Sequence, residues 1–456
     1  MELEWILYKG SINVFKSYSG LGYFRPKTML TIRLRAPLHS LVLALCLFSP
    51  YLVLAQTLEV APDHVFMDES AVIRVKGLQP KERVSIQAGL VDGAGQSWAS
   101  QADFTADGEG TIDVSKQAPT GGSYKEISAM GLIWSLRPTA KNVTIYRPPA
   151  NFGPQSIEFR LLRNAANVAT ARLQQIRIAD GVQQIKLTGQ LHGVFFTPSG
   201  TERHPAVLVV GGSEGGVPIP KAVWLASRGF AALALAYFRY ENLPQYLEAI
   251  PLEYFGQALQ WMMNRPEVQP DHIGVVGGSR GGELALQLGS MYPQIRTVIA
   301  YVPANVRYPA CCGRTSVPYA WTWKGQPLSY MPVGVRRNPA MAIEAAIAVE
   351  QTKGPILLIS GGDDGVWQSS AMADAVVDRL KRAHFAYSFD QLKYSHAGHG
   401  AGRPDIVPAW HGSERNPTSG REVDPGGTIP GNAQSSIDAA PKVVEFLRQG
   451  LKASQP

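Results

Sequence analysis

The chemistry of this 456-residue chain begins at a serine. Gly277-Gly278-Ser279-Arg280-Gly281 is a G-x-S-x-G pentapeptide, a weak signal alone in a chain with 45 glycines. Its surroundings strengthen it. The apolar run Ile273–Val276 leads into it, and helix-forming Glu283-Leu284-Ala285-Leu286-Gln287-Leu288 follows. A strand that stops and a helix that starts around a serine is the setting of a nucleophile elbow, where small neighbours permit the strained turn that exposes the hydroxyl. The plainer alternative is a serine capping a helix. A hydroxyl also needs a base to take its proton, and the base needs a carboxylate to hold it. Gly361-Gly362-Asp363-Asp364-Gly365 follows a buried-strand pattern, Ile356–Ile359, and offers the carboxylate. Asp364 is expected to orient the base, while Asp363 caps the turn. Tyr394-Ser395-His396-Ala397-Gly398-His399 offers the base, with His399 preferred and His396 its rival. His204, His272 and His384 read as surface or packing histidines.

A tetrahedral intermediate needs two aimed donors for its oxyanion. The N–H of Arg280, directly after the serine, is one candidate. The glycine-rich stretch Gly211-Gly212-Ser213-Glu214-Gly215-Gly216 offers the second, through the amide of Gly212 or Ser213. That stretch lacks the endings of a phosphate-binding loop and the spacing of a dinucleotide fingerprint, so no nucleotide cofactor is expected. A plain turn is its other reading. No group of residues has metal-ligand spacing, so no metal is expected either. Cys311 and Cys312 are either free thiols or a vicinal disulfide.

The elements that must position these residues follow from the apolar pattern. Ala206–Val210, Ala231–Leu235, Ile273–Val276, Val298–Val302 and Ile356–Ile359 read as fully buried strands, alternating with helices at 220–228, 252–264 and from Gly281. Such alternation predicts a mostly parallel sheet covered on both faces, with its site beyond the C-terminal strand ends. The chain order Ser279, Asp364, His399 is the order expected of an α/β-hydrolase. The expected boundaries of this domain are 185–453. Residues 306–350 read as an inserted cap whose Tyr319, Trp321, Trp323 and Tyr330 line an acyl pocket or pack the core. Residues 403–435 read as a surface loop before a last helix at 437–452.

Upstream, residues 58–180 carry short strands such as Ala71–Val75 and Val84–Ala88, punctuated by turn residues at roughly ten-residue spacing. This predicts an antiparallel, immunoglobulin-like β-sandwich. Residues 29–55 combine Arg33 and Arg35 with an apolar run from Leu41 to Ala55, the pattern of a secretory signal peptide with cleavage before Gln56. Export to the periplasm or medium is the expectation, and cytoplasmic residence the alternative. Residues 1–28 read as a mis-assigned start, with Met29 the true one.

Composition narrows the class. With 45% hydrophobic and 17% charged residues, plus 45 glycines and 33 prolines, the chain is neither disordered nor a coiled coil. Of the net charge of +7, an excess of four falls within residues 1–55. The remainder is nearly balanced, leaving no nucleic-acid footprint. Three cysteines exclude a disulfide scaffold. No other run is long enough to span a membrane, so no stable span is expected once the signal is removed. Nothing here sets the oligomeric state.

Four stretches resemble a known family. They are Gly121–Tyr124 with Met130–Ser135; Ala226–Phe230 through Leu235–Phe238 and Glu241–Pro244; Leu252–Phe255 with Gly278–Leu286; and Gly361–Asp364 with Ala397–His399. Together they are similar to the bile acid–CoA:amino acid N-acyltransferase and type I acyl-CoA thioesterase family over about residues 60–400. The resemblance implies a catalytic domain like that of dienelactone hydrolases. It also implies acyl transfer from a small-molecule thioester through an acyl-enzyme, which water or an amine then resolves. Family members that conjugate amino acids carry cysteine as nucleophile and the thioesterases serine, so Ser279 favours hydrolysis. Animal relatives act where CoA is present. An exported enzyme would meet other esters, which makes a carboxylesterase that does not use CoA a further alternative.

Overall fold

The computed structural model describes residues 7–8, 11–12, 55–332, 339–409, 414–415 and 422–452. It comprises two units, Met1–Val53 and Leu54–Pro456. In the first, Leu7–Tyr8 pairs antiparallel with Ser11–Ile12. Except for Ala55, the segment expected to be a signal lies outside the described residues.

Alternation builds the first part of the larger unit. In Arg83–Val91 (call it β3, after Thr57–Ala61 as β1 and Val72–Lys76 as β2), Val84, Ile86, Ala88 and Leu90 face inward and every second residue faces out. Ser97–Thr105 (β4) repeats this with Trp98, Ala102 and Phe104. These strands join Gln155–Arg163 (β6) and Ala166–Ile176 (β7) in one sheet of order β4-β3-β6-β7, with each of these neighbours antiparallel. His64–Phe66 adds to β7 in parallel. A smaller antiparallel sheet contains β1, β2 and Ile112–Asp113 (β5). Leu58, Ile73 and Val75 of the small sheet share one core with Ile86, Phe104, Phe159 and Leu173 of the large one.

The second part is an eight-stranded sheet. Its strands are Gln183–Lys186 (β8), His192–Thr197 (β9), His204–Val210 (β10), Ala231–Ala236 (β11), Val268–Gly278 (β12), Ile295–Tyr301 (β13), Ile356–Gly361 (β14) and Phe389–Tyr394 (β15), in the order β8-β9-β11-β10-β12-β13-β14-β15. The pairings from β11 to β15 are parallel, while β8 and β9 add antiparallel at one edge. The sheet is therefore mixed but mostly parallel. Successive strand residues point to opposite faces. Leu208 and Val210 enter one core with Glu253–Met263 (α2) and Arg280–Met291 (α3), as Val207 and Val209 enter another with Ile219–Ala226 (α1) and Ile429–Lys452 (α5). Continuous apolar strands suit a sheet buried on both sides.

Three elements depart from the sequence reading. Helix α5 begins at Ile429, so the expected loop loses its last seven residues to the helix. Pro430 sits in its first turn, where a missing N–H costs little, although Pro441 also lies inside the helix. Helix Ser369–Arg382 (α4) and edge strand β15 were both unmarked by continuous apolar runs. Within residues 306–350, Trp321–Trp323 pairs with Ile250–Pro251, and Trp321 is 1% exposed in the core under α3, so its ring packs rather than lines a pocket. Among the described residues no helix is long and apolar enough to cross a membrane.

Candidate active site

Ser279 stands between β12 and α3 with φ +57° and ψ −123°. That left-handed conformation is costly for a residue with a side chain, and a serine held there marks a constrained turn. Its neighbours explain how it fits. A Cβ at Gly277 would lie 1.9 Å from the carbonyl oxygen of Gly281, and one at Gly281 would lie 2.3 Å from that of Gly211. The strand can turn into the helix only because both positions lack a side chain.

Past the C-terminal end of β14, Asp364 is 1% exposed at its side chain. Its Oδ1 accepts hydrogen bonds from the N–H groups of Val366 and Trp367 at 2.9 and 3.2 Å. Both of its oxygens lie 2.9 Å from Nδ1 of His399. Nε2 of His399 lies 2.8 Å from Ser279 Oγ. A carboxylate on Nδ1 fixes the tautomer that leaves Nε2 free to accept the serine proton. Burial pushes the Asp364 carboxyl up, but His399, together with hydrogen bonds from Ser369 and the Trp367 N–H, outweighs it and holds the group below the usual range. The edge of the ring meets Trp367, with centroids 5.6 Å apart. Trp367 is itself pinned by donating to the carbonyl of Val302 and stacked on Tyr308.

The other candidates fall elsewhere. His396 and Asp363 sit 3.6 Å apart on the surface, with side chains 73% and 51% exposed. His384 is exposed at the end of α4, and ring nitrogens of His204 and His272 are buried without hydrogen bonds. Of the oxyanion candidates, the Gly212 N–H is engaged, donating to Oε1 of Glu214 at 2.9 Å. Among the described residues the N–H groups of Ser213 and Arg280 donate to no other protein group. The Arg280 side chain turns away from the serine. It donates to the carbonyls of Pro309 and Tyr308 at 2.8 and 3.1 Å and pairs with buried Glu283 at 3.0 Å. Trp321 Nε1 donates to Glu283 at 2.8 Å. Cys311 and Cys312 form a disulfide.

Two cavities meet here. One of about 580 Å³ is lined by Ser279, His399, Gly212, Tyr301 and Lys221. The other, about 470 Å³, is lined by Trp134, Tyr146, Val366 and Val407, and shares His399 and Glu214 with the first. Glu214, Lys221 and Trp367 escaped the sequence reading. Glu214 lay within the glycine-rich stretch and Lys221 within the expected helix 220–228, but nothing in spacing marked either of them or Trp367. Among the described residues no group of three His, Cys, Asp or Glu side chains is placed to hold a metal ion.

A mostly parallel sheet, a serine on a strained strand–helix turn, and an acid and a histidine beyond later strands define an α/β-hydrolase. Two family models match this chain: the acyl-CoA thioester hydrolase/BAAT N-terminal region over residues 68–189, and the corresponding C-terminal region over 250–320 and 322–453. The chain belongs to that family, the acyl-CoA thioester hydrolases and bile acid-CoA:amino acid N-acyltransferases. It is 30% identical to mouse acyl-coenzyme A amino acid N-acyltransferase 1 over 414 residues, 86% of this chain and 97% of that one. It is 27% identical to mouse acyl-coenzyme A thioesterase 6 over 423 residues, 88% of this chain and 99% of that one. An α/β hydrolase solved from a deep-sea metagenome library is 17% identical, with a TM-score of 0.37, covering 60% of this chain and 100% of that chain.

Proposed function

We propose that the chain is a serine acyl hydrolase acting on acyl thioesters of the acyl-CoA type. The observation that carries the proposal is the unbroken line from Asp364 through His399 to Ser279, with links of 2.9 and 2.8 Å. Ser279 Oγ attacks the thioester carbonyl while His399 takes its proton. The oxyanion is met by the N–H of Arg280 and, because Glu214 occupies the Gly212 amide, by that of Ser213. Collapse breaks the C–S bond, and His399 returns its proton to the thiolate. Water then attacks the acyl-serine, again through His399, releasing the acid and restoring the serine.

Hydrolysis of acyl-CoA followed by thiol release tests this reading. The purified protein is expected to turn over, and Ser279→Ala to lose at least about 10⁴-fold in kcat. Undiminished turnover by the alanine variant contradicts it. The acyl-serine can also be resolved by an amine, as the name of the N-acyltransferase relative suggests; addition of glycine during turnover measures that partition directly.

Residues 58–180 are read as an immunoglobulin-like sandwich and 185–453 as the hydrolase domain. The core shared by the two N-terminal sheets supports the first, and the separate N- and C-terminal family models support the division. Export is proposed from Arg33 and Arg35 before the apolar run 41–55. A mature N-terminus at Gln56 supports it and an intact Met29 contradicts it.

A further inference from the structure

The larger cavity is unusual for one expected to take a hydrocarbon chain. Besides Ser279, charged groups face it from every side: Asp68, Arg177, Glu214, Lys221, Arg403 and Asp405. Most have protein partners. Asp68 is paired with Arg228 and accepts from Trp224 Nε1 at 2.8 Å. Arg177 donates to the carbonyl of Pro149, and Glu214 accepts from Gly212. Burial drives the Asp405 carboxyl upward toward its neutral form, against the lowering influence of Arg403 and Arg177.

Lys221 remains. Its Nζ lies over the face of the Tyr301 ring, 3.8 Å from the centroid, and has no hydrogen bond or ion pair among the described residues. A Cβ at Gly278 would lie 3.8 Å from this ammonium. Adding one Cα–Cβ bond and one Cα–Cα step places it within roughly 9 Å of the Ser279 Cα. Burial pulls its pKa down to about 8, against the raising influence of the Glu214 and Asp405 carboxyls across the cavity. An alkyl chain entering this cavity would strip water from that ammonium and return nothing, whereas an anion would compensate it.

The acyl group belongs in this cavity because Ser279 lines it and does not line the other. The departing thiol is protonated by His399, which stands on the shared wall. Resting on the hydrolase reading, we infer that Lys221, with Arg403 beside it, forms a subsite for a carboxylate at the far end of a short acyl group, so that the preferred substrates are ω-carboxyacyl thioesters.

The test compares glutaryl and pentanoyl thioesters of N-acetylcysteamine, which match in chain length and differ in the terminal carboxylate. The wild-type protein is expected to favour the glutaryl thioester by roughly tenfold or more in kcat/KM, the scale of one close charge pair. Lys221→Met is expected to abolish that ratio, and Lys221→Arg to keep most of it. Active-site phosphonate labelling of each variant shows that its site is intact. A wild-type preference for pentanoyl, or a ratio unchanged in Lys221→Met, overturns the subsite and leaves the hydrolase reading standing. No turnover of either thioester overturns both.

Discussion

Ser279 is held at φ +57° by packing around it, and the side chains that serve it are held just as firmly. Asp364 is enclosed and receives two backbone N–H groups as well as His399. Asp364→Asn preserves the shape but lets the amide present a donor to Nδ1, which favours the wrong tautomer. We expect kcat to fall by about 10³- to 10⁴-fold with little change in KM, measured by steady-state thioester hydrolysis. The same carboxylate links stability to pH. Its folded pKa lies below the 3.8 of the free group, so its contribution is fully present above about pH 5 and is lost as pH falls through the folded value. Denaturant titrations between pH 6 and 3 should therefore show a steeper loss of stability in the wild type than in Asp364→Asn; parallel curves contradict the linkage. At this scale the three side chains could be picked out, because Ser279 and Asp364 each follow an apolar strand and all three sit among small residues. The choice between Gly212 and Ser213 was not, since it turns on where the Glu214 carboxylate folds back.

At the scale of elements, α3 does more than carry the serine. Buried Arg280 and Glu283 on its first turn tie it to the carbonyls of Tyr308 and Pro309 and to Trp321. Tyr308 stacks on Trp367, which touches His399. The insertion after β13 is thus fastened to both the nucleophile helix and the base. Burial raises the Glu283 carboxyl, opposed by the guanidinium beside it, so losing either partner strands a buried charge or donor. Arg280→Met is expected to cost about 3–5 kcal/mol in urea unfolding, as removal of one partner from a buried pair does. A loss under 1 kcal/mol contradicts this role. The buried strands β10 to β14 were readable because a sheet covered on both faces selects unbroken apolar runs. Strand β15, Phe-Asp-Gln-Leu-Lys-Tyr, lies at the sheet edge with no fully buried residue, and its polar half hid it. The start of α5 was hidden by Pro430 and Gly431, which read as loop.

At the scale of the molecule, the two parts of residues 54–456 share interior. Ile406 and Ala433, from the sheet-bearing part, are buried in the core of the N-terminal sheets. Gln175 Nε2 donates to the carbonyl of Ile406 at 2.9 Å. Asp68 receives Trp224 and pairs with Arg228, whose guanidinium also stacks 4.2 Å over the Phe66 ring. Such an interface couples the parts energetically. The wild type is expected to unfold in a single calorimetric transition, and Asp68→Ala, which leaves Arg228 only its exposed partner Glu69 and takes the acceptor from Trp224 Nε1, to lower Tm by several degrees and broaden or split the transition. Two resolved transitions in the wild type contradict the coupling. This shared core was not legible in the sequence, because Ile406 lies in a Pro- and Gly-rich stretch that reads as surface.

The most direct test of the account is to treat the protein with an alkyl fluorophosphonate and locate the adduct by peptide mass spectrometry. The account predicts one adduct per chain on the peptide containing Ser279, absent in Ser279→Ala and strongly slowed in His399→Asn. An adduct on another residue, or labelling that persists in the alanine variant, contradicts it.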